Sequence, residues 1–324
     1  MRAITVRQPG GPEELVLTEA DTPQPAPGEV RIAVAAAGVN RADVLQRRGF
    51  YPPPKHVSDI LGLEVSGTID AIGPDTATAC HPGDPVVALL AGGGYAEYVV
   101  VPGGQCAPMP ASMTPTEAAA VMETAATVVS NFDHIHVTAG ETILIHGGAG
   151  GIGSFAIPYA KHLGLRVITT VGSADKAAYA RSLGADLAID YHDDWADEIH
   201  RASDGAGVDA ILDIMGAKYL EANVSLLAQS GRMTVIGLQG GTKATLDLSR
   251  LLTKAATITA TSLRFRPPAE KAAIVDQVAT RVWPLFESGA IPLPPVTTFP
   301  LEQAAAAHRQ LESGQNTGKI VLKL

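Results

Sequence analysis

The sequence predicts an α/β protein in which a β-rich domain of short strands is joined to a doubly wound, parallel-sheet domain. Three observations lead there. The first third is punctuated by turn residues and reads as short strands. From Glu123 to Arg264, strands and helices alternate. A GxGxxG turn, Gly148 to Gly153 in "ILIHGGAGGIGS", sits between an apolar strand and a helix.

Taken in order, "MRAITVRQPGG" gives a short strand and a turn. "EVRIAVAAAGVN" alternates Val30, Ile32 and Val34 with Arg31, Ala33 and Ala35, the period of a half-buried strand. "LGLEVSGTIDAIG", "GDPVVALL" and "GYAEYVVVP" follow, each bounded by Gly, Pro or Asp, as in a compact barrel or sandwich. Thr114, Pro115 and Glu117 then supply an N-cap, an N1 proline and a capping-box glutamate for a helix over "MTPTEAAAVMETAATVVSNF". "TILIHG" is a buried strand, "SFAIPYAKHLG" a helix ending at Gly164, and "LRVITTV" a strand. A helix over "ADKAAYARSLG", a strand at "DLAID", a helix around "WADEIHRA" and a strand at "VDAILDIMG" continue the rhythm. Helical "YLEANVSLLAQSG" leads to the strand "RMTVIG". The tail holds helices over "EKAAIVDQVATRVWPLFESG" and "EQAAAAHRQLESG" and a strand at "GKIVLKL"; periodicity does not say which domain it joins.

Bulk properties bound the function. A chain of 324 residues is long for one core and fits two domains. Lysine plus arginine number 24 against 33 aspartate plus glutamate, a net charge of -9 without a basic cluster, which argues against nucleic acid and anionic membrane as partners. The start lacks the apolar core of a signal peptide, and no run of about 18 apolar residues predicts a membrane span. Cys80 and Cys106, the only cysteines, form no CxxC pair, so a reducing cytoplasm is expected.

The glycine turn carries the chemistry. In a strand–turn–helix setting, Gly148, Ala149, Gly150, Gly151, Ile152 and Gly153 let the backbone approach a pyrophosphate and aim a helix N-terminus at it. An NAD site places an acid about 20 residues on, where it bonds the ribose hydroxyl. This chain has Val171, Gly172 and Ser173 there, and Lys176 follows in the first turn of the next helix. A cation at that end opposes the helix dipole unless an anion lies nearby. A 2′-phosphate is such an anion, so NADPH is expected over NADH; a solvated Lys176 whose neighbour Asp175 serves the dipole is the plainer reading. Tyr191, after the following strand, is placed to close over the adenosine phosphate, though a tyrosine there is also ordinary packing.

With "GVNRADVLQRRGFYPPP", "LGLEVSG", "HGGAGGIG", "LQGG", "SLRFR" and "NTGKIVL", the chain resembles, over essentially its whole length, the zinc-independent quinone oxidoreductases of the medium-chain dehydrogenase/reductase family. The resemblance implies a GroES-like catalytic domain over 1–122 and 265–324 and a Rossmann NADPH-binding domain over 123–264. It places Asn40 and Tyr51 near the nicotinamide and the incoming carbonyl, with Asp43 orienting its neighbours. Thr127 matches a residue contacting the nicotinamide, although a buried helix threonine bonding its own backbone reads almost as well. Ile236, Gly237, Leu238 and Gln239 run along the cofactor, while Ser262, Leu263, Arg264 and Asn316 face its nicotinamide half. Zinc-dependent relatives carry a cysteine at Asn40 and a histidine at Leu63, so no metal is expected; Glu64 remains from that pattern, and His134 and His136 are read as a surface loop. Close relatives often have serine at Gly150, a lost hydrogen bond of about 1 kcal/mol.

The expected activity is metal-free transfer of a hydride, or electrons, from NADPH to a quinone in a water-poor cleft between the two domains. A quinone needs little acid assistance, because aromatisation stabilises the product oxyanion; an ordinary ketone needs a Lewis acid or a placed donor. Two other readings stay open: reduction of an α,β-unsaturated carbonyl with Tyr51 as proton donor, and an NADPH-binding sensor or structural protein without turnover. A zinc alcohol dehydrogenase ranks behind these. The resemblance also implies a homodimer, joined through the edge strand "TITATSL".

Overall fold

The computed structural model describes residues 1–324, which divide into two units, Met1–Ala126 with Leu263–Leu324, and Thr127–Ser262.

The first unit opens with β1 (Arg2–Val6), β2 (Leu15–Glu19), β3 (Glu29–Val39), α1 (Arg41–Arg47), β4 (Glu64–Ile72), β5 (Pro85–Leu89), β6 (Tyr98–Pro102), β7 (Cys106–Pro108) and α2 (Pro115–Ala118). Helix α3 (Met122–His134) starts here and ends in the second unit. After that unit, α9 (Pro268–Arg281), α10 (Trp283–Glu287), β14 (Val296–Pro300), α11 (Ala304–Ser313) and β15 (Lys319–Lys323) return to the first. The sheet order is β14-β15-β3-β4-β5-β7, with β6 pairing β3. The alternation read in β3 is what makes it central: Val30 and Ile32 are fully buried and pack with Val65, Val86, Val99, Ile320 and Leu322. The C-terminal strand therefore lies inside the sheet, antiparallel to β3 with Ile320 opposite Val39.

The second unit holds β8 (Thr142–His146), α4 (Gly151–His162), β9 (Arg166–Val171), α5 (Ala174–Ser182), β10 (Leu187–Asp190), α6 (Trp195–Ala202), β11 (Val208–Asp213), α7 (Leu220–Leu226), β12 (Leu227–Val235), α8 (Leu248–Lys254) and β13 (Thr257–Ala260). Its six strands are all parallel, in the order β10-β9-β8-β11-β12-β13. Ile143, Leu144 and Ile145 are each fully buried, as a strand covered on both faces requires. From β8 the chain runs one way to β9 and β10, then the other way to β11, so the order reverses beside β8. Ligands of open α/β sheets bind at the carboxyl ends of strands around such a reversal.

Four details differ from the sequence reading. The helix capped by Thr114 stops at Ala118 and restarts at Met122. Ala119 and Ala120 between them are buried against Ala36 and Val321, so packing overrides their helix propensity. "LAQSG" is not helix but the start of β12, where buried Leu227 pairs with Val208 before a register shift. The tail helix breaks at Val282, because Pro284 has no N–H for an interior helix bond. His134 is the last residue of α3 rather than loop, and its ring bonds Thr259 Oγ1 at 2.9 Å.

Candidate active site

In the second unit the glycine turn, Gly172 to Lys176, Tyr191 and Ile236 to Gln239 all follow the carboxyl ends of its strands, whereas Leu263, Arg264 and Asn316 of the predicted cofactor set lie in the first unit. Gly148 to Gly153 make the turn from β8 into α4, whose N-cap is Gly150 without a side-chain cap. A Cβ on Gly153 would lie 2.4 Å from Gly148 Cα and 2.5 Å from Gly147 O, so only glycine lets the helix start against its own turn. A Cβ on Gly150 would meet nothing nearer than Gly147 O at 3.6 Å, so the serine of relatives would fit and the turn lacks only its hydroxyl.

At the end of β9, Ser173 caps α5 by accepting the Lys176 N–H at 3.3 Å. Asp190 pairs with Val171, which brings Tyr191 over Gly172: a Cβ there would fall 2.4 Å from the Tyr191 hydroxyl. Gly172, Ser173, Lys176 and Tyr191 thus form one corner, with Tyr191 43% exposed and no carboxylate at the strand end. The residues present fit a dinucleotide carrying a 2′-phosphate. Ile236 to Gln239 follow β12 and are pinned to the end of β11, Ile236 N–H to Asp213 O at 2.8 Å and Gln239 N–H to Ile214 O at 3.2 Å. Thr127 is 7% exposed on α3, and its carbonyl accepts from Asn131 Nδ2 at 2.8 Å. Ser262 follows β13.

Beneath the turn, His146 ends β8 fully buried. Its ring bonds Thr170 Oγ1 at 2.9 Å and Asn223 Oδ1 at 2.8 Å. Burial pushes the imidazole down to about 4, with the Asn223 bond opposing. The folded form binds its proton later than the unfolded chain, so stability is lost as pH falls from about 6.5 towards 4. Relative to His146→Gln, the wild-type unit is expected to lose about 3 kcal/mol between pH 7 and 4. Native-state hydrogen exchange of the β8 amides measures this, and a difference that stays constant with pH would remove His146 as the cause.

The substrate-side residues lie in the first unit. Asn40 caps α1 and Asp43 sits at its N3 position in a capping box. Asp43 is fully buried, accepting from Asn40 N–H (2.8 Å), Gly62 N–H (3.0 Å) and Tyr95 Oη (3.2 Å). Burial pushes its carboxyl up to about 6 against those donors. With both oxygens engaged, Asp43 holds the loop geometry. Arg264 is 4% exposed and ties three segments: Nε to Ala91 O (2.7 Å), one terminal nitrogen to Tyr51 O (3.1 Å), the other to Gln46 Oε1 (2.7 Å). Its guanidinium also lies 5.2 Å from the Tyr51 ring centre, and Phe265 packs edge-on to that ring at 5.3 Å. Arg264 therefore braces Tyr51 with the side chain the sequence reading assigned to the cofactor. Leu263 precedes it, and Asn316 lies before β15 with Nδ2 3.5 Å from Gly318 O.

Two features escape a sequence reading. The first is a buried chain from Asp43 through Tyr95 Oη to His308 Nε2 (3.2 Å), then Arg47 (3.2 Å) and Glu312. Burial, with the Arg47 charge beside it, holds the His308 ring down at about 3, neutral at working pH. The second is Lys319, 4% exposed, whose Nζ is 2.6 Å from both Asn40 Oδ1 and Glu64 Oε1. Its apolar neighbours in "GKIVL" were the only hint that this lysine faces inward. No three His, Cys, Asp or Glu side chains converge into a metal-ligating group.

The domain family described as "Alcohol dehydrogenase GroES-like domain" matches residues 26–111, and that described as "Zinc-binding dehydrogenase" matches residues 151–280. Among solved structures, mycobacterial Rv1454c complexed with NADPH is 34% identical with a TM-score of 0.90, covering 100% of both chains. Escherichia coli quinone oxidoreductase complexed with NADPH is 28% identical with a TM-score of 0.89, again over 100% of both. A mycocerosic acid synthase-like polyketide synthase of Mycolicibacterium smegmatis is 32% identical over 326 residues, 99% of this chain, which spans only 15% of that relative's length. Both domain families occur here in that order, and with a full-length likeness at 34% identity the kinship is plain: the chain belongs to the medium-chain dehydrogenase/reductase family, in its zinc-independent, quinone oxidoreductase-like branch.

Proposed function

We propose that the protein is an NADPH-dependent quinone oxidoreductase acting without a metal. The observation that carries this reading is the state of Glu64, the carboxylate kept from the zinc pattern: it is fully buried and held at 2.6 Å by the Lys319 ammonium, with Asn40 and Leu63 at the other ligand positions. A cation is already built into the place, which suits an acceptor that needs no Lewis acid. NADPH, when bound, supplies the hydride. The Gly148–Gly153 turn takes its pyrophosphate, and Ser173, Lys176 and Tyr191 take its 2′-phosphate. Ile236 to Gln239 follow its length. Thr127, Ser262, Leu263 and Asn316 meet its nicotinamide half, and Asn40 and Tyr51 meet the acceptor. Asp43 and Arg264 hold those two in place. The two solved neighbours with NADPH support this cofactor.

The test is loss of reduced-cofactor absorbance with 1,4-benzoquinone, run with NADPH and with NADH. Rapid oxidation of NADPH alone is expected, and no oxidation of either would sink the quinone assignment. Lys176→Ala is expected to weaken NADPH about 10-fold or more, the loss of one charge-assisted contact, while NADH binding stays unchanged. Equal weakening of both cofactors, measured by titration, would take the phosphate away from Lys176.

A second reading, reduction of an α,β-unsaturated carbonyl, is favoured by the likeness to a stretch of polyketide synthases. Tyr51, braced by Arg264 and Phe265, is then the proton donor, and Tyr51→Phe abolishes enone but not quinone reduction. Intact NADPH binding with no turnover on either acceptor would leave the sensor reading.

A homodimer completes the proposal. β13 is an edge strand of the six-stranded sheet, and the helix before it exposes Leu248 at 69% and Leu252 at 83%. An open parallel edge beside exposed leucines invites a second copy. Sedimentation is expected to give a dimer for the wild type and a monomer for Leu252→Glu. A wild-type monomer at working concentration would overturn this. No helix is long and apolar enough to cross a membrane, and a cytoplasmic location fits the free thiols of Cys80 and Cys106.

A further inference from the structure

We infer that Lys319 is a positioning residue that locks the Asn40 carboxamide with its nitrogen presented as a donor, and polarises that donor toward the oxygen on which negative charge develops. The part concerning the acceptor rests on the reading of the protein as a quinone reductase; the lock itself does not.

The three side chains come from neighbouring strand ends. Asn40 follows β3, Lys319 begins β15 and Glu64 begins β4; Ile320 is opposite Val39 and Val65 opposite Ala37, which brings all three to one end of the sheet. Lys319 Nζ lies 2.6 Å from Asn40 Oδ1 and 2.6 Å from Glu64 Oε1, and Asn40 Nδ2 donates to Glu64 Oε1 at 3.0 Å. The second carboxylate oxygen of Glu64 accepts the Glu123 N–H at 2.9 Å. Exposures are 4% for Lys319, 8% for Asn40 and 0% for Glu64.

A carboxamide can be turned by half a revolution with little change of shape. Here the two arrangements differ greatly. An ammonium has only donors and an ionised carboxylate only acceptors. Reversal would set the Asn40 NH2 against the ammonium and its oxygen against the carboxylate. One orientation survives, with the oxygen on Lys319 and one N–H on Glu64. The second N–H of Nδ2 has no partner in the protein, and it is the donor left for a ligand. An ammonium bonded to the amide oxygen draws density from the nitrogen and strengthens that donor. Glu64 balances the charge, so the influence on the acceptor runs through the amide. A buried ion pair is a poor source of stability, since apolar side chains of the same shape do as well. Setting the orientation of Asn40 gives this pair a use.

The test compares wild type, Lys319→Arg and the charge-balanced Lys319→Met/Glu64→Gln in the full chain, with NADPH and 1,4-benzoquinone. The double variant is expected to melt near the wild type and bind NADPH equally well. Its kcat should fall about 10- to 100-fold, with the quinone KM moving less than about threefold, since a donor acting on developing charge is felt in the rate. Lys319→Arg keeps the cation and should recover most of the rate. Wild-type kcat in the double variant, or a folded Lys319→Arg without activity, overturns the proposal. A second readout needs no turnover: the side-chain amide protons of 15N-asparagine-labelled protein, with the Asn40 pair identified by its loss in Asn40→Asp. That pair should be widely split in the wild type and collapse toward free-amide shifts in the double variant. A wild type inert to quinones with a collapsing pair refutes the activity and keeps the lock, whereas an unchanged pair refutes the lock.

Discussion

Gly153→Ala is expected to destabilise the cofactor unit by about 2–3 kcal/mol, and to weaken NADPH binding beyond what the lost stability explains. The added Cβ would stand 2.4 Å from Gly148 Cα and 2.5 Å from both Gly147 O and Gly148 C. None of these is a flexible side-chain end that can swing away. Helix α4 must back off from the turn, or the turn must open. Alanine is the better helix former by about 1 kcal/mol, which offsets only part of the strain. Either movement displaces the N–H groups offered to the pyrophosphate. Thermal melting with and without NADPH separates the two effects. An unchanged melting temperature together with unchanged affinity would mean that the close approach carries no constraint.

Arg47→Met is expected to cost about 3–5 kcal/mol and to unfold the first unit preferentially. The Arg47 side chain has 0% exposure and forms a bidentate pair with Glu312 at 2.8 and 3.0 Å. It also donates to Gly10 O at 3.0 Å and faces His308 Nδ1 at 3.2 Å. Methionine fills part of the volume and returns none of these bonds. Glu312 keeps only Arg48, which is 45% exposed, while Gly10 O and His308 lose their donor inside the protein. Removing both charges in Arg47→Met/Glu312→Leu is expected to recover about half of the loss, because the stranded carboxylate is the larger part of it. Urea unfolding measures both variants. A single mutant within 1 kcal/mol of wild type, about the value of an exposed pair, would show that the pair is solvated in solution.

Residues whose meaning is local were legible in the sequence. The turn from β8 to α4 and the capping box of Thr114 and Glu117 each depend on neighbours within five positions, and each stands where spacing puts it. The period-2 alternation of β3 likewise reports a buried face. Charges whose partners lie far along the chain were not legible. Lys319 meets Glu64 across 255 residues, Arg47 meets Glu312 across 265, and Arg264 meets Gln46 across 218. No periodicity encodes such a meeting, and each of these residues read alone is a solvated cation. Where propensity and packing disagreed, packing prevailed: "EAAAVME" is good helix sequence, yet Ala119 and Ala120 leave the helix to bury against Ala36 and Val321.

The place of β15 between β14 and β3 has a consequence for the order in which the protein is made. The whole of Thr127–Ser262 leaves the ribosome before residues 319–323 exist, so the nucleotide unit can fold while its companion still lacks an inner strand. Until that strand arrives, Val39 has no neighbour on that side and Glu64 has no counter-charge. The growing chain therefore holds this sheet open until residues 319–323 have been added.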